Sequence, residues 1–359
     1  MSDKKKIGVL IVDDSAVVRT VLQQVIDSSP DMETIATAQD PIFAMEKMSK
    51  RWPDVIILDV QMPRMNGIDF LKKIMAEHPT PCVVCSTLTE EGTSTTLQAT
   101  GAGAVAIIAK PRMGTKEFLQ ESTARIQEAV RGAAGARTGR LSQQRSHNVP
   151  NVSRGTPKRE GKRPGGRIIL LGASTGGTQA IEEILLTLPE DAPPVLIVQH
   201  MPEKFTRAFA DRLNSLTHVE VIEASDGDAV LTGRVLIAPG NFHMEVARSA
   251  EGYRVVVRSG DFINRHRPSV DALFHSAVNL GGENFVGVIL TGMGSDGALG
   301  MQALHKRGAL TIAQNEETCV VFGMPQEAIR LGGVDHVLPL NRIGPEMLRL
   351  AAGMTGQKS

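Results

Sequence analysis

Short aliphatic runs that each end on a polar or charged residue recur along this chain, and amphipathic segments separate them. Val9-Leu10-Ile11-Val12 runs into Asp13-Asp14-Ser15, Ile56-Ile57-Leu58 into Asp59, and Ile168-Ile169-Leu170-Leu171 into Gly172-Ala173-Ser174. Runs this short and this apolar are buried on both faces, as strands of a parallel sheet are, and the amphipathic segments between them are the crossover helices. Aromatic residues make up only 3% of the chain, so the cores are aliphatic. Right-handed crossovers put every strand C-terminus on one edge of its sheet. The polar residues that end the runs then converge, however far apart they stand in sequence.

With 359 residues the chain is expected to form two domains. Strands are expected at 7–12, 33–37, 55–58, 82–85 and 105–108, with helices at 15–28, 41–50, 67–77, 90–101 and 115–130. This alternation is expected to form a doubly wound parallel-sheet domain over residues 1–125. Residues 131–167 then carry ten Lys or Arg against the single acid Glu160 and little to bury. A flexible basic linker is expected over 126–163, read as a solvated tether rather than a partner site. From 164 to 356 a second α/β domain, mostly parallel, is expected. Its strands are placed at 167–172, 195–199, 219–223, 234–238, 253–257, 285–290 and 309–313. Its helices are placed at 176–188, 204–216, 268–280, 297–306 and 325–332.

The formal net charge is zero, which argues against a nucleic-acid partner. No apolar run is long enough to span a bilayer and no signal peptide is apparent, so a cytoplasmic protein without direct membrane insertion is expected. Cys82-Val83-Val84-Cys85 has CxxC spacing, but it lies inside an apolar run and reads as strand packing.

Asp13, Asp14, Asp59, Ser86 and Lys110 all fall at expected strand ends of the first domain. Three clustered carboxylates repel, and a divalent cation with oxygen ligands, Mg²⁺, relieves the repulsion. Lys110 and the Ser86 hydroxyl could then meet phosphoryl oxygens. Helix capping explains Asp14 or Ser15 alone, but not five polar groups at matched strand ends. Together with Asp59-Val60-Gln61-Met62-Pro63-Arg64-Met65-Asn66-Gly67 and Lys110-Pro111, these residues resemble the response-regulator receiver domain over about residues 5–125. The resemblance implies that Asp59 is the phosphoacceptor, that Asp13, Asp14 and Asp59 hold Mg²⁺, and that Ser86 and Lys110 sense the phosphate. It implies a histidine kinase as phosphodonor. Where many receivers have an aromatic switch residue this chain has Ile107, so an aromatic-rotamer switch is not expected.

In the second half, Gly172-Ala173-Ser174-Thr175-Gly176 fits G-x-S-x-G between a strand and a helix, the setting of a nucleophile elbow. By itself the pentapeptide also suits a phosphate-binding turn or a plain tight turn. His200 ends the run 195–199 and Asp296 lies in the glycine-rich turn after 286–290, so both share the rim with Ser174. His243, His266 and His275 compete with His200 as a base. His266 and His275 read as surface residues. The order Ser, His, Asp excludes the α/β-hydrolase fold, which runs Ser, Asp, His.

Gly172 to Gly177, Gln199-His200-Met201-Pro202, Arg267-Pro268-Ser269-Val270-Asp271 and Gly292-Met293-Gly294-Ser295-Asp296-Gly297 resemble the chemotaxis protein-glutamate methylesterase (CheB) family. That resemblance implies hydrolysis of glutamate γ-methyl esters on chemoreceptors, with deamidation of certain glutamines. It implies Ser174 as nucleophile, His200 as base, Asp296 as its orienter, and Thr175 and Met293 lining the site, with no cofactor for the hydrolysis. A receiver-controlled module that holds a nucleotide at Gly172 to Gly177 is the competing reading, and a covalent serine probe separates the two. Residues 267–271 read as a structural helix start.

Overall fold

A computed structural model describes residues 5–62, 66–87, 90–111, 116–136 and 162–353. The chain divides into two compact units, Met1–His147 and Asn148–Ser359.

In the first unit, five strands form one parallel sheet: β1 Ile7–Val12, β2 Met32–Ala38, β3 Val55–Leu58, β4 Cys82–Ser86 and β5 Ala106–Ala109, in the order β2-β1-β3-β4-β5. Val9, Ile11, Ile56, Ile57, Leu58, Val83 and Val84 are fully buried, which is why these runs hold no polar residue until their ends. Five helices alternate with the strands: α1 Ala16–Asp27, α2 Pro41–Met48, α3 Gly67–Glu77, α4 Glu90–Gly101 and α5 Lys116–Ala134. The turns after β1 and β2 start their helices with side-chain caps. Ser15 accepts from the Val18 amide, and Asp40 accepts from Ile42 and Phe43 with Pro41 in the first turn. Cys82 and Cys85 are buried in β4, and burial pushes the Cys82 thiol up to about 12, so neither is a reactive thiol.

Helix α5 continues well past the boundary expected at 125. Ile126, Val130 and Ala133 are buried, Gln127 Nε2 donates to the Val25 carbonyl at 2.9 Å, and Arg131 grips Asp31 at 2.7 and 3.0 Å and Ser29 at 2.8 Å. The first basic residue of the expected tether is thus a clamp between α5 and the α1–β2 connection. Residues 137–161 of that tether lie outside the described residues, as do Pro63, Arg64 and Met65.

The second unit is built on a seven-stranded, wholly parallel sheet. Its strands are β6 Ile168–Ala173, β7 Val195–Gln199, β8 Glu220–Glu223, β9 Arg234–Ile237, β12 Phe285–Ile289, β13 Leu310–Gln314 and β14 His336–Leu338, in the order β14-β13-β12-β6-β7-β9-β8. The chain starts at central β6, winds out to β8 on one side, and returns to β12 on the other side of β6. The C-terminal ends of β6, β7 and β12 therefore border the switch point, where open α/β sheets hold their ligands.

Several elements differ from the expected pattern, among them the edge strand β14, which was not expected. Residues 253–257 belong to an antiparallel hairpin, β10 His243–Ser249 with β11 Gly252–Arg258, and not to the parallel sheet. The C-terminal segment forms an unforeseen helix, Leu340–Ala352, despite Pro345 inside it. Helix Val270–Val278, here α8, starts two residues later than expected, after a cis Arg267–Pro268 bond.

Candidate active site and acidic pocket

Ser174 follows β6 directly, on a turn that Gly176 (φ +77°) closes before helix Gly177–Leu185. Its amide donates to the Thr291 carbonyl at 3.0 Å, and its own carbonyl accepts from Gly177 N at 2.8 Å. The turn after β12 presses on the serine from the other side. A Cβ on Gly292 would fall 2.8 Å from Ser174 Cβ, so only glycine allows that approach. Thr291 Oγ1 donates to the carbonyl of buried Thr175 at 2.9 Å and ties the two turns together. Met293, half-buried, follows Gly292 on the same turn.

His200 follows β7, and its amide donates to the Ala173 carbonyl at 3.1 Å. Gln199, 3% exposed, donates from Nε2 to the carbonyls of Ser174 (2.9 Å) and His200 (3.2 Å). One side-chain amide thus fixes the backbone of both rim residues against each other. In the sequence Gln199 stands out only as part of the Gln199-His200-Met201-Pro202 motif. The signal available was a polar residue ending a strand that is otherwise entirely aliphatic, because a buried amide has to be spent on specific partners.

Asp296 is buried and pairs with His200, Oδ2 to Nε2, at 2.9 Å. Oδ2 also accepts from Val270 N at 2.7 Å, and Oδ1 accepts from Ser269 Oγ at 2.7 Å, Asn264 Nδ2 at 2.9 Å and Asp271 N at 3.3 Å. The carboxylate therefore sits on the N-terminus of α8, where the amides and the helix dipole favour negative charge. Burial works to raise its pKa. The bond and charge of His200, with Asn264 and His266, outweigh burial and hold the carboxyl well below the usual carboxylate range. Neighbouring Asp271 goes the other way: burial and the Asp296 charge raise it, although Gly300 N and Asn264 Nδ2 donate to it at 2.7 Å each.

The competing histidines separate clearly. His275 is exposed. His243 is buried and engaged at both nitrogens, with Nε2 2.8 Å from the Asp261 carbonyl and Nδ1 accepting from Ser269 N at 3.3 Å. His266 is not the surface residue that its basic loop suggests. It is half-buried, and its ring stacks on that of His200 with centroids 3.7 Å apart and planes 9° from parallel. The segment 267–271, read as a helix start, does start α8, but it also supplies three of the donors to Asp296.

In the first unit, Asp13 and Asp59 are buried and Asp14 is exposed, and oxygens of all three lie within 4.8 Å of one another. Lys110 Nζ bridges Asp13 Oδ2 at 2.8 Å and Asp59 Oδ2 at 2.7 Å. Burial works to lower the Lys110 pKa, but the two carboxylates raise it above its ordinary value. Lys110 N donates to the carbonyl of buried Ser86 at 2.8 Å, so the ends of β4 and β5 are held in register beside the acids. An all-carboxylate oxygen set of this size suits Mg²⁺, which keeps several waters and takes few protein ligands.

Comparisons with known proteins agree with both units. A model of the CheB methylesterase matches residues 169–347, and one of the response regulator receiver domain matches residues 9–127. A protein-glutamate methylesterase/protein-glutamine glutaminase of Geobacter metallireducens is 52% identical over 355 residues, spanning 96% of this chain and 99% of its own. One of Chromobacterium violaceum is 54% identical over 355 residues, again with 96% and 99% covered. The crystal structure of the Thermotoga maritima CheB methylesterase catalytic domain shares 40% identity at a TM-score of 0.51, and covers 52% of this chain and 99% of that one. The chain belongs to the CheB methylesterase family and joins a response regulator receiver domain to a hydrolase domain.

Proposed function

We propose that the second domain hydrolyses γ-methyl esters of glutamate side chains on the cytoplasmic segments of chemoreceptors, and deamidates glutamines there, under control of phosphorylation at Asp59. The observation that carries the reading is the His200–Asp296 pair at 2.9 Å on the rim that presents Ser174.

Because Nε2 of His200 faces Asp296, its N–H is directed to the carboxylate and Nδ1 is the nitrogen that serves Ser174. Nδ1 takes the Ser174 Oγ proton as Oγ bonds to the ester carbonyl carbon. The carbonyl electron pair moves to oxygen, and backbone amides of Thr175 and Met293, on the two turns that flank Ser174, are assigned to that oxyanion. The oxyanion collapses, the C–OCH₃ bond breaks, and the proton on His200 goes to the leaving oxygen as methanol. Water then gives a proton to His200, its oxygen attacks the acyl carbon, and Ser174 leaves with that proton restored. With a glutamine substrate the leaving group is ammonia. Asp296 balances the imidazolium in both halves of the cycle and stays ionised, as its depressed pKa favours.

In the receiver domain, Asp59 attacks a phosphohistidine of a histidine kinase, and the P–N bond breaks as the O–P bond forms. Asp13, Asp14 and Asp59 would hold Mg²⁺, which when bound supplies positive charge opposite the phosphoryl oxygens. Lys110 would exchange a carboxylate contact for a phosphoryl oxygen, with the Ser86 hydroxyl beside it. No helix among the described residues is long and apolar enough to cross a membrane, which suits an enzyme that meets its receptors from the cytoplasm. Methanol release from methylated receptor tests the hydrolase reading: folded Ser174→Ala should release none, and release at the parental rate would remove Ser174 as nucleophile.

A further inference from the structure

The turn from Ile263 to His266 contributes no group to the reaction above, yet two of its side chains reach the groups that do. Its ends exchange backbone hydrogen bonds, Ile263 N to His266 O at 3.1 Å and His266 N to Ile263 O at 2.8 Å. Its central residues, Asn264 and Arg265, have φ of +51° and +68°. Positive φ at both central positions marks a type I′ turn, which asparagine tolerates and arginine adopts only at a cost. The base of the turn is secured from outside: the Arg267 guanidinium lies 4.2 Å from the centre of the Phe262 ring and donates to Asn241 Oδ1 at 2.6 and 3.1 Å. A strained backbone held this firmly calls for something that it places.

What it places are two contacts. Asn264 Nδ2 gives one hydrogen to Asp296 Oδ1 at 2.9 Å and the other to Asp271 Oδ2 at 2.7 Å. The two buried carboxylates repel, and the positive end of an amide dipole lies between them. His266, two residues on, lays its ring flat on His200. The hydrogen bond to Asp296 fixes one nitrogen of His200 but does not by itself set the plane of the ring. A parallel ring 3.7 Å away sets that plane.

We infer that the 263–266 turn is the positioning element of the hydrolytic site, with Asn264 setting the Asp296 carboxylate and His266 setting the plane of the His200 imidazole. This rests on the Ser174–His200–Asp296 reading. Both side chains act through Asp296 and His200, so their loss is expected in kcat and not in KM.

The test uses the full-length protein, Asn264→Gly, His266→Ala and His266→Phe, with Ser174→Ala as reference. Asn264→Gly removes the amide and keeps a backbone suited to positive φ. His266→Phe keeps a flat ring on His200 without its nitrogens. Asn264→Gly should lower kcat by about tenfold to a hundredfold, the worth of a hydrogen bond to a charged group, and His266→Ala, which removes a stacked ring, by about twofold to tenfold, each with KM within about twofold. His266→Phe should recover most of the His266→Ala loss. Labelling of Ser174 by a fluorophosphonate, which needs the base but no receptor docking, should slow in the same order. Parental kcat and labelling in Asn264→Gly and His266→Ala, with Ser174→Ala inactive, overturns the inference and leaves the triad intact. His266→Phe as slow as His266→Ala, with both folded, overturns the stacking role. Activity in Ser174→Ala sinks the triad reading itself.

Discussion

Ser269→Ala offers a clean measure of how tightly the proposed hydrolytic site is bound to the fold. Ser269 is fully buried. Its Oγ donates to Asp296 Oδ1 at 2.7 Å and caps α8 by accepting from Ala272 N at 3.4 Å. A hydrogen bond to a charged group is worth roughly 1.5–3 kcal/mol, and a helix cap about 1 kcal/mol. Asp296 keeps Val270 N, Asn264, Asp271 N and His200, so the two losses do not sum in full. A destabilisation of about 2–3 kcal/mol is expected, confined to the second domain. At an m-value of about 2 kcal/mol/M in urea this moves that domain's midpoint by about 1–1.5 M.

The chain supplies its own reporters. It has one tryptophan, Trp52, in the first unit, and one tyrosine, Tyr253, whose ring sits edge-on against buried Phe285 in the second. Urea curves followed at both residues should show the Tyr253 transition moving to lower urea in Ser269→Ala while the Trp52 transition stays in place. An unmoved Tyr253 transition would refute the reasoning, because it would mean that Asp296 loses nothing when a buried donor is deleted. Methanol release should fall by about tenfold to a hundredfold, as in Asn264→Gly, because each variant takes one donor from Asp296 Oδ1.

Stability of the second domain should decline as pH falls below about 4. The folded pKa of Asp296 lies below the unfolded value near 3.9, so its contribution is complete above that value and is lost on acidification. The raised Asp271 works in the opposite sense, and Asp296→Asn should flatten the decline of the Tyr253 transition. His200→Ala should cost nearly as much kcat as Ser174→Ala, and the double variant little more than either, because the groups act as a unit; additive losses in methanol release would separate them. Asp59→Asn, or chelation of Mg²⁺ in the parent, should abolish phosphate transfer from a histidine kinase, and label retained in Asp59→Asn would place the acceptor elsewhere. If the receiver domain blocks the hydrolytic rim when unphosphorylated, a fragment beginning near Pro164 should hydrolyse receptor esters faster than the unphosphorylated full chain. A fragment no faster would favour an activating contact instead.

Most of this architecture is written in the aliphatic runs. Every strand that carries a candidate group, β1, β3, β4, β5, β6, β7 and β12, is a run with almost no polar residue, so its end could be located and the groups beyond it assigned to one rim of its own sheet. Of the hairpin β10–β11, the run Val255-Val256-Val257 marks β11, whereas β10 escaped because polar residues such as Glu245 and Arg248 interrupt it and no continuous apolar run marks it, so the antiparallel pairing was not expected. The C-terminal helix escaped because Gly344-Pro345 reads as a break. Gly344 is there for close approach: a Cβ on it would fall 2.5 Å from Thr187 Oγ1. Asn264 and His266 escaped for a different reason. Their contacts are set by a turn with left-handed φ in a basic loop, and neither spacing nor periodicity encodes where such a turn points its side chains.

The strand order also explains why so much of the site is support. β7 and β12 are both neighbours of β6 and lie on opposite sides of it, so their ends are about 10 Å apart at two strand spacings. Ser174, on β6, stands between them. His200 leaves β7 directly, but Asp296 comes only at the seventh residue after β12, and that turn closes the gap. A carboxylate at the end of a long glycine-rich turn has no strand to fix it. Its anchorage is the start of α8 and the 263–266 turn, both of which follow the β10–β11 hairpin in the chain. The position of Asp296 is therefore set by a segment that contributes no reacting group to the proposed triad, and on that reading a lesion there should act on the chemistry as a loss of alignment.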